Sequence, residues 1–306
     1  MPSLEITIDR PLDIRRTLAI HWRGSGDPIW VFGTERIWRA ARTARGPAVL
    51  AIETGCEPVR NRVRVETWGP GAEQALAAAP ALLGLLDDPE ALHTDHPLVR
   101  SLQRRFAGLR IGRTGDVTEA LIPAITEQKV TGEEARRAYR RLVKAHGDPA
   151  PVPPGGPAAL WLPPDPTRLA ALPYFAYHEL GLERRRAETI RRVAALAPRL
   201  APLAAGPADE AYRVLTAIPG VGPWTAAEVG IRALGDPDAV SVGDYHLPNL
   251  VCWALAREER GTDARMLELL EPFRGQRGRV VRLLELGVVR APRRGPRMAP
   301  RRIESI

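Results

Sequence analysis

The chain has 306 residues, 44% apolar and 26% charged, enough to bury the cores of about two domains. Its formal net charge of +8 favours a polyanionic partner, most simply nucleic acid. No run approaches the roughly 18 apolar residues of a membrane span, the first residues lack the apolar stretch of a signal peptide, and the two cysteines, Cys56 and Cys252, exclude a four-cysteine metal site and fit a reducing cytoplasm.

Residues 1–112 read as mixed α and β. Leu4, Ile6 and Ile8 alternate with Glu5, Thr7 and Asp9, the period of a half-buried strand. Segments 30–32 and 49–54 are further strand candidates, and Val63, Val65 and Thr67 alternate with Arg62, Arg64 and Glu66. An alanine- and leucine-rich helix at 74–86 closes the unit, for which an antiparallel sheet carrying helices is the simplest expectation. From about residue 113 the pattern turns helical. Thr131 and Glu134 have capping-box spacing, and Ala135, Ala138, Tyr139 and Leu142 share one face opposite Arg136, Arg137, Arg140 and Arg141.

The proline-rich stretch 148–173 reads as a long irregular connection over the surface. Helices are expected near 183–196, 208–218, 223–234, 248–257, 264–270 and 279–286. Six arginines among prolines between Arg290 and Arg302 mark a tail expected to be disordered. The expected class is therefore α+β: a small antiparallel-sheet N-terminal domain (1–112), an all-helical domain (113–290) and an Arg/Pro-rich tail (291–306).

The most specific segment is Leu215-Thr-Ala-Ile-Pro-Gly-Val-Gly-Pro-Trp-Thr-Ala226. Ala211, Val214, Leu215 and Ile218 make one helical stripe and Trp224, Ala227, Ile231 and Leu234 another. Pro219, Gly220, Val221 and Gly222 join them, with Pro223 at a natural first helical position. Helices joined by so short a turn must pack together. Glycines leave the turn without side chains, so backbone N–H groups at the start of the second helix face outward, where a phosphate can accept from them. Such a contact grips a duplex without reading its sequence. A bare Gly-x-Gly would mean only an ordinary turn between two helices; the whole string is that of a helix-hairpin-helix.

Twenty residues past Trp224 lies Asp244, within Val240-Ser-Val-Gly-Asp-Tyr-His-Leu-Pro-Asn249. A helix-hairpin-helix followed at this spacing by Gly-Asp resembles the HhH-GPD superfamily of base-excision DNA glycosylases. Within it the chain looks most like the AlkA-type 3-methyladenine DNA glycosylases, over roughly residues 113–290. Gln128 with Thr131 resembles the family's helix-leading Gln-x-x-Ser segment, and 181–190 its basic segment before the hairpin.

The resemblance implies that Asp244 is the catalytic carboxylate, stabilising positive charge that develops on the deoxyribose as the glycosidic bond breaks. By itself Asp244 is better read as a cap of the helix that follows. Bifunctional members carry a lysine in the hairpin's second helix that forms a Schiff base. Here Trp224 holds that position and no lysine follows Lys144, so a monofunctional enzyme is expected.

The family holds its flipped base against flat side chains. Trp224, Tyr245, Tyr174 and Phe273 are candidates here, each of the last three better explained by core packing. Glu228, one turn past Trp224, replaces an aromatic found in some relatives and either bonds the base or faces solvent. The wedge that fills the vacated gap is expected around Gln128, with Lys129 where an apolar residue often stands; Gln128 is the alternative contact to the partner base. Backbone contacts are expected from Pro219, Gly220, Val221, Gly222 and Thr225. Phosphate contacts are expected from Arg184, Arg185, Arg186, Arg274, Arg277 and Arg279.

The expected activity is hydrolysis of alkylated purines of the 3-methyladenine and 7-methylguanine class from duplex DNA. A monomer acting in the cytoplasm at the nucleoid is implied, with no membrane. No organic cofactor is expected, and no metal beyond a monovalent cation on the hairpin carbonyls. A glycosylase for another damaged base, or a catalytically idle lesion-binding protein, are the alternatives.

Overall fold

The computed structural model describes residues 2–54, 62–287, 300–301 and 303–305. Five strands, β1 Ser3–Thr7, β2 Trp30–Phe32, β3 Arg36–Thr43, β4 Gly46–Glu53 and β5 Arg62–Trp68, form one antiparallel sheet in the order β1-β5-β4-β3-β2. In register, Leu4 and Ile6 stand opposite Val65 and Val63, so the alternation of both strands builds one apolar face. No alternation marks β3, because both its faces are covered. Ile37 and Ala41 join the main core, while Trp38 and Ala40 pack with Val49, Ala51, Leu160 and Leu162 on the other side.

Helices α1 Ile14–Leu18, α2 Ala72–Leu82 and α3 Pro97–Arg105 complete the N-terminal region. Then come α4 Val117–Thr126 and α5 Gly132–His146. The capping box of α5 forms in both directions between Thr131 and Glu134. The connection that follows is more regular than its prolines suggest. It holds β6 Asp148–Pro149 and β7 Trp161–Leu162, paired antiparallel, and then α6 Pro166–Ala171. Leu160 and Leu162, at a short ribbon within the otherwise helical second part, cover the outer face of the sheet.

The remaining helices are α7 Tyr174–His178, α8 Arg184–Ala195, α9 Ala197–Leu200, α10 Ala208–Thr216, α11 Pro223–Val229, α12 Leu247–Ala256, α13 Asp263–Leu270 and α14 Arg277–Leu286. A wide π-type turn, Gly230–Leu234, extends α11. No helix among the described residues is long and apolar enough to cross a membrane.

Two apolar clusters organise these elements. The larger runs from the inner face of the sheet through α4, α5 and α8 to α10 and α11, with Val65, Leu121, Leu142, Ile190, Leu215 and Val229 among its buried members. The smaller joins Val99 and Leu102 of α3 to Leu247, Val251, Met266, Leu270 and Val280 of α12, α13 and α14. The clusters thus divide the chain differently from a boundary at 112, since α3 packs with the C-terminal helices. A buried ion pair, Arg39 Nη2 to both oxygens of Glu119 at 3.0 Å, also ties the sheet to α4. Of the tail, residues 291–299, 302 and 306 lie outside the described residues. Arg301 N–H donates to Glu134 Oε1 at 3.0 Å and Arg141 Nη1 to Glu304 Oε1 at 2.7 Å, so the described part lies against α5 rather than hanging free.

Candidate active site

The hairpin between α10 and α11 is anchored by Val221, whose side chain is buried in the main core. Its N–H donates to Ile218 O at 2.9 Å, closing the turn. Gly220 has φ +98 and lies so near Thr189 that a β-carbon would overlap the threonine hydroxyl, so glycine is required twice over. Gly222 is extended (φ −96, ψ 179), and no atom lies within 4 Å of where its β-carbon would be. Ala226 N–H makes the first bond of α11, to Gly222 O at 3.0 Å, so the amides of Gly222 and Trp224 are not used by the helix. Open space beside unused amides at a helix start suits a phosphate or another anion.

Asp244 sits in the loop before α12, and several elements fix it. Gly243 N–H donates to Asp263 Oδ1 at 3.1 Å, and Ser241 Oγ donates to Glu228 Oε1 at 2.6 Å. Asp244 Oδ1 accepts from His246 N–H at 2.7 Å and Leu247 N–H at 2.8 Å, so the residue does cap α12. Its other oxygen, Oδ2, accepts from Trp224 Nε1 at 3.2 Å. Capping therefore uses one oxygen of the carboxylate and the bond to Trp224 the other. Hairpin and α11 belong to the larger cluster and α12 to the smaller, so the Trp224–Asp244 bond spans the junction between them. A half-buried carboxylate held by three donors, with acceptor capacity left on Oδ2, can stabilise a developing cation or take a proton from water.

No family model matches the chain. A Mycobacterium tuberculosis protein named "Probable bifunctional transcriptional activator/DNA repair enzyme AlkA" is 36% identical over 179 residues, 56% of this chain and 35% of its own length. A DNA-3-methyladenine glycosylase of Bacillus subtilis is 26% identical over 188 residues, 58% of this chain and 59% of its own. The solved 3-methyladenine DNA-glycosylase from Archaeoglobus fulgidus superposes with a TM-score of 0.77 at 23% identity, covering 92% of this chain and 97% of that one. The chain is thus similar in sequence to these relatives over little more than half its length, and it shares the fold of the Archaeoglobus fulgidus structure. It spans only 35% and 59% of the length of these two curated relatives.

Within this fold the remaining candidates separate. Tyr245 is 85% exposed beside Asp244, so it is neither core nor the wall of a closed pocket. Glu228 does not face solvent: it accepts from Ser241 and is ion-paired with Arg232, bracing the loop of Asp244. Phe273 is buried in the smaller cluster, edge-on to His96, and Tyr174 lies under Arg184 at 5.0 Å and near His178. Neither bonds to Trp224, Glu228 or Asp244 among the described contacts. The side chain of Thr225 is 2% exposed and accepts from Gln128 Nε2 at 2.8 Å, so it is no backbone contact. Pro219 and Gly220 offer carbonyls, which accept from Arg192 Nη1 at 2.5 Å and from Gln128 Nε2 at 3.0 Å.

The arginines divide likewise. Arg184 and Arg185 are exposed on α8. Arg274 is 67% exposed and only loosely spent on a surface pair with Glu271. Arg277 is committed to Asp238 at 2.5 Å. Arg186 and Arg279 are buried, bonded to Thr126 O at 2.9 Å and paired with Asp87, and cannot reach a phosphate. Lys129 is exposed at the tip between α4 and α5. Thr189, Arg192, Ser241 and Asp263 were not singled out by the sequence. In α8, Arg192 looks like any other arginine, and only the Thr262-Asp263 helix start hinted at an acceptor near Gly243.

Proposed function

We propose that the chain is a monofunctional DNA glycosylase that hydrolyses the N-glycosidic bond of alkylated purines, the 3-methyladenine and 7-methylguanine class, in duplex DNA. The observation that carries this reading is the Trp224 Nε1–Asp244 Oδ2 bond at 3.2 Å, which sets an aromatic plane against a fixed carboxylate beside the hairpin. In the reaction the C1′–N bond breaks with its electron pair leaving on the base. Asp244 Oδ2 stabilises the cationic sugar, water adds to C1′, and its proton leaves through the carboxylate to solvent. An alkylated purine already carries positive charge, so it stacks well on an indole face and departs without an acid. Trp224 also accounts for the absence of a lyase step, because it stands where a Schiff-base lysine would and no lysine follows residue 144.

The names of the relatives support this substrate class. Duplex DNA, held by the amides at Gly222 and by Arg184, Arg185 and Arg274, is the proposed partner of a monomer working at the nucleoid. No organic cofactor takes part. The carbonyls of Ile218, Pro219 and Gly220 each accept one bond, from Val221 N–H, Arg192 and Gln128, and each keeps a second lone pair for the monovalent cation proposed at the hairpin. The test is base release from a duplex treated with a methylating agent, with released bases separated by chromatography and borohydride added to a parallel sample. Free 3-methyladenine or 7-methylguanine with no trapped covalent complex is expected. Release of other bases only would overturn the substrate class, and a trapped complex would overturn the monofunctional mechanism.

A further inference from the structure

The turn between α4 and α5 carries both residues that the sequence offers for filling the gap of an extruded nucleotide. Lys129, at its tip, has φ +54, a left-handed conformation unfavourable for a residue with a β-carbon. The surrounding structure must hold it there. Both donor positions of the Gln128 side-chain amide are spent on the hairpin unit. Nε2 donates to Gly220 O at 3.0 Å, in the turn, and to Thr225 Oγ1 at 2.8 Å, on α11. Behind the tip, Arg186 Nη1 donates to Thr126 O at 2.9 Å and Arg23 pairs with Glu127 at 3.5 Å. No other side chain ties the tip itself to the hairpin among the described contacts.

We propose that Gln128 is a positioning residue that locks the Lys129 tip to the hairpin. The gap-filling tip and the backbone grip then approach a duplex as one rigid body. Gln128 does not read the partner base through its amide protons, because both are already committed. This inference rests on the base-extruding reading above, and it separates Gln128 from Lys129, which the sequence presents as alternatives for one role.

Thr225 makes the test discriminating. At 2% exposed it cannot touch DNA, and Thr225→Val keeps its shape while removing the acceptor. Hydrogen exchange at residues 128–130 is measured in the free protein for wild type, Gln128→Leu, Thr225→Val and the double variant. Losing the one bond in Thr225→Val is expected to speed exchange roughly fivefold, and losing both in Gln128→Leu roughly 25-fold, with the double no faster than Gln128→Leu alone. Unchanged exchange in Gln128→Leu, or acceleration that adds in full, overturns the lock.

The second readout is preference for a duplex with an abasic site over an intact one, by fluorescence anisotropy. It should fall in Thr225→Val as in Gln128→Leu, with the salt dependence of binding unchanged because no phosphate contact is removed. A loss in Gln128→Leu alone would mean that Gln128 acts on the DNA directly, which overturns the lock. If wild type shows no preference for the abasic site, the base-extruding reading fails, and the exchange arm still decides the lock.

Discussion

The two hairpin glycines should respond oppositely to the same methyl group. At Gly220 the backbone has φ +98, which costs a residue with a β-carbon about 1–2 kcal/mol. The new methyl would also meet Thr189, with Cγ2 only 2.8 Å away. Thr189 cannot rotate aside freely, since its hydroxyl donates to Arg185 O at 2.8 Å, a bond worth about 1 kcal/mol. Gly220→Ala should therefore lower stability by about 2–4 kcal/mol. At Gly222 the backbone is ordinary and the space is open, so Gly222→Ala should leave thermal unfolding within about 0.5 kcal/mol of wild type. If that open space is where a phosphate meets the unused amides, the methyl blocks it. The loss is then one charge-assisted bond of about 1.5–3 kcal/mol, or roughly 10- to 150-fold in duplex affinity. Thermal denaturation and anisotropy on an undamaged duplex read the two effects separately. Gly222→Ala binding as tightly as wild type would refute the assignment of this turn as the backbone grip.

Other residues give further expectations. Burial and then the nearby Arg39, Arg232, Arg23 and Arg282 hold the His21 pKa well below its ordinary 6.5. The unfolded chain gains a proton there as pH falls through 6.5 and the folded chain does not, so stability drops below that pH with a slope approaching about 1.4 kcal/mol per unit. His21→Gln should remove that part of the slope in denaturant titrations from pH 7 to 5; His146, also lowered by burial, is common to both proteins. Identical slopes would contradict the buried neutral imidazole. Arg39→Met leaves Glu119 buried without its partner and should cost about 3–5 kcal/mol at neutral pH. Burial already raises the Glu119 pKa and Arg39 opposes it, so the deficit should shrink as pH falls and the carboxyl protonates. Arg185→Gln should reduce the magnitude of the log–log salt slope of duplex binding by about 0.9, whereas Arg277→Gln should leave the slope alone and lower the melting temperature.

The sequence was legible where the chemistry is local. The hairpin is written in contiguous turn residues, and helices lie on both sides of it as expected, although α10 stops at Thr216 and the second stripe widens into a π-type turn from Gly230. Asp244 was singled out by its place after that hairpin, and the cap expected of it on the following helix is seen in the bonds from His246 and Leu247. What escaped depends on contacts between distant segments. β3 lost its alternation because residues 160–162, more than a hundred positions away, cover its outer face. Arg186 and Arg279 look like surface arginines until Thr126 and Asp87 are brought against them. Glu228 could be assigned to a base or to solvent only because Ser241 and Arg232 were not yet seen on its two oxygens.

Asp244→Asn puts the central assignment to the most direct test. Asparagine keeps an acceptor for the amides of His246 and Leu247 at the cap, while removing the negative charge beside Trp224. The measurement is single-turnover release of 3-methyladenine from a methylated duplex, with duplex affinity measured on the same preparations. The account predicts unchanged folding, duplex affinity within about threefold of wild type or tighter, and release slowed by at least about 100-fold. Release at the wild-type rate from a folded Asp244→Asn protein would contradict the account.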